Sequence, residues 1–349
     1  MPRRSATMLA STLLLIGLLC AALLLPVPYA QMGPGPTYNT LGTQNGKPVI
    51  TVTGRQTYPT TGNLNMTTVE VSSADYRPNL LAALAGWFQS DTAIVPHSTL
   101  YPDNQTEQQA EQQNAEEFSA SQDSAKAAAL KQLGYKVGSE VVVAAVVENS
   151  PSVGKLHAGD VIRTVDGTAV TTPDQVGTLV RKKQPGQTVV FGITPKGTST
   201  AKQVTVTTAK NPDTGKAFVG IQPGTEHTFP FQVDINLGDV GGPSAGLMFA
   251  LGIVDKLTPT DLTGGKFVAG TGTIDDQGNV GPIGGISMKL IAARNAGAQY
   301  FFVPADNCAE AASSPPAGLK LIKETTLKGA LDALSAIRSG ATSTLPTCG

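Results

Sequence analysis

Thr271-Gly272-Thr273-Ile274-Asp275-Asp276-Gln277-Gly278-Asn279-Val280-Gly281-Pro282-Ile283-Gly284-Gly285-Ile286-Ser287-Met288-Lys289 is the stretch on which this sequence turns, once set beside Gly242-Pro243-Ser244-Ala245-Gly246 upstream. The upstream pentapeptide fits G-x-S-x-G, a tight turn that presents a serine hydroxyl beside backbone N–H groups at a helix N-terminus. Alone it is ambiguous, because glycine-flanked serines also cap helices. A nucleophilic serine needs a base, and in an α/β-hydrolase the histidine follows the serine. Here His97, His157 and His227 all precede Ser244. A chymotrypsin-like order tolerates a preceding histidine, but the chain has no Gly-Asp-Ser-Gly-Gly segment.

The longer stretch supplies another base. Lysine accepts a proton when burial and a positive field bring its pKa toward neutrality. Ile286, Ala292 and Ala293 flank Lys289 at i−3, i+3 and i+4 on a helix predicted over 285–297, which puts it on an apolar, small-residue face. Its place in the first turns also sets the helix dipole against a cation. A lysine snorkelling from a half-buried helix has the same local pattern.

Taken together, these two motifs and their spacing resemble the proteolytic domain of the Lon family, over residues from about 211 to 340. Tyr300–Pro304, Asp306-Asn307 and the closing strand and helix follow that pattern too. The resemblance implies a Ser–Lys dyad with Ser244 as nucleophile and Lys289 as general base. It implies that Thr271 holds the lysine by hydrogen bonding. The Ser244 N–H and one from Gly241 or Gly242 are the expected oxyanion donors. Two positions depart from the family pattern: Gly241 stands three before the serine and Thr273 after the Thr-Gly pair, where acidic residues are frequent. Asp239 is a candidate replacement carboxylate, against its ordinary reading as a turn residue. Lon proteases usually carry an ATPase motor, but no G-x-x-x-x-G-K-[ST] loop is present; Gly264-Gly265-Lys266 is too short and runs into Phe267.

Upstream lies a strand-rich block over 134–210. It contains a β-branched run (140–147), Ser150-Pro151, Leu156, Gly159-Asp160-Val161-Ile162, Val165-Asp166-Gly167, a helix predicted over 173–181 and two closing strands. These turns and spacings resemble a bacterial PDZ domain, which implies binding of extended C-terminal peptides at a sheet edge. Gly134-Tyr135-Lys136-Val137-Gly138 is the candidate carboxylate-holding loop, because glycines let N–H groups point inward. An ordinary turn before a strand is the plainer reading.

The N-terminus differs from the rest. Arg3 and Arg4 precede an almost continuously apolar run from Met8 to Val27. A helix of that length spans a bilayer core, and the preceding positive charge favours an inside N-terminus. A cleaved signal peptide is the rival; the run is long for one, and Pro28-Tyr29-Ala30 lacks the small −3 residue. Gly33-Pro34-Gly35-Pro36 reads as a stiff linker. Strands are predicted at 49–52 and 66–71 and a helix at 79–87. The Gln-, Glu- and Ala-rich run 103–133, with sparse apolar positions at Phe118, Leu130 and Leu133, reads as a solvated helix tied down along one edge and carrying no chemistry. Phe229, Phe231, Val233 and Ile235 alternate as in one half-buried strand.

The 349 residues carry 40% hydrophobic and 15% charged residues and a net charge of −1, so the chain is globular and lacks the basic footprint of a nucleic-acid binder. No Cys/His spacing indicates a metal, and no cofactor is expected. Cys308 and Cys348 are free to pair in an oxidising exterior. The expectation is an α+β multidomain chain: anchor (1–30), extracytoplasmic strands and helix (31–133), PDZ-like domain (134–210) and Lon-like α/β proteolytic domain (211–349). The role of 32–133 is open, including completion of a later domain. As a whole the order resembles ATP-independent, membrane-anchored bacterial proteases. That implies protein or peptide substrates delivered by the PDZ-like block, a single-pass membrane location with the catalytic part outside, and a homo-oligomer, since Lon-like domains often form rings. The rivals are a non-catalytic PDZ adaptor with a degenerate Lon-like fold and a C-terminal-processing peptidase, whose serine and lysine motifs differ.

Overall fold

The computed structural model describes residues 3–101, 105–212, 214–238 and 240–348. Its first element, α1 (Arg3–Leu24), carries the window Thr7–Leu24 with mean hydropathy 2.3, none of it buried against the rest of the chain. By length and composition α1 is able to cross a bilayer core, at about 1.5 Å per residue.

The chain continues through β1 (Tyr29–Asn39), β2 (Ile50–Thr53), β3 (Asn63–Val71), α2 (Leu80–Trp87), β4 (Ala93–Pro96) and α3 (Glu107–Gln132). It then builds β5 (Gly138–Val146), β6 (Val161–Val165), α4 (Pro173–Arg181), β7 (Thr188–Thr194), β8 (Lys202–Thr207) and β9 (Ile221–Thr228). The last stretch holds β10 (Gln232–Ile235), α5 (Gly246–Leu257), β11 (Phe267–Gly270), α6 (Ile286–Asn295), β12 (Tyr300–Pro304), β13 (Lys320–Glu324) and α7 (Leu327–Ser339). Two compact units result: residues 1–135 with 231–349, and residues 136–230.

In the first unit one mixed sheet runs β13-β12-β11-β3-β1-β4. Its parallel half (β3, β11, β12, β13) is buried, which suits runs such as Tyr300-Phe301-Phe302-Val303 with no alternation. α5 is buried along almost its whole length, so its sequence is apolar on every side. β10 pairs antiparallel with β2. A disulfide joins Cys308 to Cys348.

The segment 31–133 therefore does not stand as a domain of its own. β1, β3 and β4 are half of the sheet whose other strands follow residue 266, the outcome that the open reading of 32–133 allowed. The Gly-Pro run at 33–36 is not a linker but part of β1. Its register against β3 shifts between Pro34 and Thr37, where prolines have no N–H to give the ladder, and the Thr68 hydroxyl donates to the Pro36 carbonyl instead (2.7 Å).

α3 is tied down along one face, as the reading of 103–133 expects. Thr106 and Gln109 form a reciprocal capping box at its start. Its buried face is built largely of alanine (Ala110, Ala125, Ala128, Ala129) with Phe118 and Ser121. Alanines let it lie close against α5, where Phe118 meets Phe249 edge-on at 5.8 Å. Truncating Phe118 to alanine would cost about 3–5 kcal/mol.

In the second unit the sheet order is β8-β7-β6-β5-β9, antiparallel throughout. Val143, Leu156, Ile162, Phe191, Ile193 and Val219 fill its core. The strand expected at 229–235 is broken at Pro230. Residues 221–228 pair with β5 in this unit, and 232–235 pair with β2 in the other. The 210/211 boundary thus falls inside the second unit, which runs to Pro230.

Candidate active site

Ser244 sits at the mouth of α5, on a loop shaped by two glycines. Gly242 has φ +82°, a left-handed conformation that side chains with a Cβ rarely adopt. Gly246 lies against the strand segment Thr273–Ile274: a Cβ there would stand 2.8 Å from Ile274 Cγ2. The spacing of the G-x-S-x-G pattern thus reflects one conformational demand and one steric one.

The two residues that follow β11 clamp the serine backbone. The Gly272 N–H donates to the Ser244 carbonyl at 2.8 Å, and the Thr271 hydroxyl donates to the same oxygen at 3.0 Å. Lys289, from α6, donates through Nζ to Ser244 Oγ at 2.6 Å and to Thr271 Oγ1 at 3.1 Å. Ser244 and Thr271 thus converge on the Lys289 amine, and Thr271 and Lys289 are almost wholly buried. Burial pulls the Lys289 pKa from 10.5 down to about 7, so near neutrality a large share of the amine is uncharged. Burial is sufficient cause; the helix dipole need not be invoked.

Two supports were not legible in the sequence. The Ser121 hydroxyl of α3 donates to the Pro243 carbonyl at 2.9 Å, and the Asn114 carbonyl accepts the Gly242 N–H at 2.9 Å. Gly241 lies against Asn114, whose Cβ would be 2.7 Å from a Cβ at that glycine. α3 therefore braces the nucleophile loop from outside. Because the Gly242 N–H is engaged by Asn114, it is not free to serve as an oxyanion donor in this arrangement. The signal that could have marked Ser121 is its place on the small-residue face of a polar helix. Asp239, the candidate replacement carboxylate, lies outside the described residues. Among the described residues no cluster of His, Cys, Asp and Glu could hold a metal ion.

The residues read as a carboxylate-holding loop lie elsewhere. Gly134 follows the end of α3 with φ +80°, and its N–H donates to the Lys131 carbonyl. The Tyr135 ring packs edge-on to Phe231 at 5.1 Å, beneath the Arg55 guanidinium. Gly138 opens β5, paired with Thr228.

One groove of the second unit is a cavity of about 590 Å³ lined by Val176, Val180 and Arg181 of α4 and by Phe218, Gly220 and Ile221. None of residues 134–138 lines it. β9 is the terminal strand of its sheet. The arrangement is an edge strand beside a helix, with apolar walls. Phe218-Val219-Gly220-Ile221, a glycine inside an apolar run, is the sequence signal for it.

Residues 113–207 match the PDZ domain family, and residues 230–334 match the Lon protease (S16) C-terminal proteolytic domain. The Lon protease of Azospirillum brasilense is 39% identical over 93 residues, covering 26% of this chain and 11% of that protein. Lon protease 1 of Bacillus subtilis (strain 168) is 34% identical over 91 residues, 26% of this chain and 12% of that one. The chain thus spans about a tenth of the length of the curated relatives it matches. Among solved structures, the PDZ domain of an SdrC-like protein from Listeria innocua is 26% identical, covering 24% of this chain and 92% of that chain, with a TM-score of 0.22. The fold is mixed α/β, with an N-terminal apolar helix, a PDZ domain and a Lon-type proteolytic domain.

Proposed function

We propose that this chain is a serine endopeptidase that cleaves extracytoplasmic proteins through a Ser244–Lys289 dyad, with the PDZ domain recruiting substrate. The observation that carries the reading is the 2.6 Å approach of Lys289 Nζ to Ser244 Oγ, with the amine buried and its pKa about 7. The match of 230–334 to a proteolytic domain supports the same chemistry.

In the reactive form Lys289 is neutral. Its lone pair accepts the Ser244 proton while one N–H stays on Thr271 Oγ1, as Oγ attacks the peptide carbonyl carbon. The Ser244 N–H, at the N-terminal end of α5, is the oxyanion donor this reading assigns. Protonated Lys289 then gives its proton to the leaving amine as the C–N bond breaks. Water, deprotonated by the same lysine, releases the acyl group.

The peptide-binding role belongs to the groove between α4 and the segment Phe218–Ile221. An extended chain there would pair with the free edge of β9 while its side chains enter the apolar cavity. For location, Arg3 and Arg4, ahead of the apolar window Thr7–Leu24 of α1, favour a cytoplasmic N-terminus, and the Cys308–Cys348 disulfide suits an oxidising exterior.

The test is degradation of casein by the detergent-solubilised full chain. Wild type should degrade it without ATP, and Ser244→Ala and Lys289→Ala should each abolish this. Full activity in both variants would remove the dyad.

A further inference from the structure

Among the described residues of the first unit beyond Leu25, the large exposed apolar side chains are Val71, Tyr76, Leu80, Leu81, Leu84, Trp87 and Phe88. All but Val71 fall in the short stretch that holds α2. Phe88 is 91% exposed and Trp87 55%. No charged residue occurs from Pro78 to Ser90, so the patch has no polar relief of its own. A soluble face of this kind is costly unless something covers it.

The patch is tied to the exit of α1. The Val27 N–H donates to the Pro78 carbonyl at 2.9 Å, and Pro26 forms a β-bridge with Asn79, the N-cap of α2. The Tyr29 ring meets Trp87 edge-on at 5.9 Å. Val71 pairs with Met32 at the same end of the sheet. Arg77 bounds the uncharged run on its N-terminal side. An apolar helix, an aromatic pair beside the end of an apolar span and a flanking arginine form the sequence of layers of a membrane interface.

We propose that α2 is a second membrane contact: it lies in the outer interface, with Leu80, Leu81, Leu84, Trp87 and Phe88 bedded among the lipid acyl chains beside α1. The inference rests on reading α1 as a membrane span. The contact is continuous with that span, which is why lipid rather than a partner protein is its occupant. It holds the first unit against the bilayer at two points and so limits its tumbling about the anchor.

Trp87 is the only tryptophan of the chain, so its fluorescence reports on this patch alone. The full chain is reconstituted into phosphatidylcholine vesicles with or without bromine on the acyl chains, and extracted with carbonate in parallel. Trp87 should lose most of its emission to bromines near the glycerol end, at roughly the 5–10 Å depth of an interfacial helix, and should be little affected by aqueous iodide. Iodide quenching without bromolipid quenching in a carbonate-resistant protein overturns the proposal and leaves the anchor standing. Protection from both quenchers means that protein covers the patch, and also overturns it. Release of the chain by carbonate overturns the anchor reading, and the proposal with it.

Discussion

Lys289 Nζ and Ser244 Oγ are 2.6 Å apart although 45 residues separate them in the chain. Two elements bring this about. α6 brings the lysine to Thr271, and Thr271 and Gly272, which follow β11 directly, hold the serine carbonyl. The pair joins a half-buried hydroxyl to a buried amine, and burial drives an amine toward its neutral form.

The lysine pKa sets a pH profile. kcat/KM should rise as pH passes about 7, where Lys289 loses its proton, and level off above it. Stability should follow the same group. Between about 7 and 10.5 the unfolded chain holds the Lys289 proton and the folded chain does not, so this residue's cost to folding shrinks as pH rises through that window. Lys289→Met should therefore be more stable than wild type at neutral pH, by an amount on the order of a few kcal/mol, with the gap closing toward alkaline pH. Calorimetry across that range checks the sign; a gap that widens with pH would contradict it.

Thr271→Val removes an acceptor from Lys289 and a donor from the Ser244 carbonyl at once. We expect kcat to fall about ten- to a hundredfold, with KM little changed. Thr271→Ser should restore most of it. Equal loss in both variants would point to packing and not to the hydroxyl.

Ser121→Ala tests the brace from α3. Loss of its bond to the Pro243 carbonyl should cost about 1 kcal/mol of stability and lower kcat several-fold, with the pH midpoint unmoved. A shifted midpoint would show that Ser121 acts on Lys289 instead.

For the groove, a fluorescent peptide ending in a free apolar carboxylate should bind the full chain more tightly than its C-terminal amide. Phe218→Ala should weaken binding about tenfold, on the order of 1.4 kcal/mol, while Lys136→Ala should leave it unchanged. The reverse pattern would return the site to the loop at 134–138.

Helices with strong local signals were readable in the residues: the helices at 79–87 and 173–181 and the run of α6 all follow from local spacing. Elements whose partners are remote were not. The Gly-Pro run of β1 has no strand propensity and is extended because Gly33 and Pro34 pair with Glu70 and Val69 of β3. The alanine face of α3 was not marked because alanine is only weakly hydrophobic, yet it packs closely against α5. The groove was hidden because β9 joins its sheet from beyond residue 207, where the PDZ match ends.

What the sequence determined by itself is the chemistry available: a serine on a glycine turn, a lysine on an apolar helix face and a threonine ahead of it, at separations that resemble a known dyad. It also determined the apolar span at the N-terminus. Only the tertiary structure decided that Lys289 is buried, that Thr271 joins it to the serine backbone, that α3 supports the loop and that the apolar groove lies at Phe218–Ile221. The reason is physical. Residue type and local spacing fix conformational preference, whereas burial, and with it the pKa of an amine, depends on which distant segments pack around it.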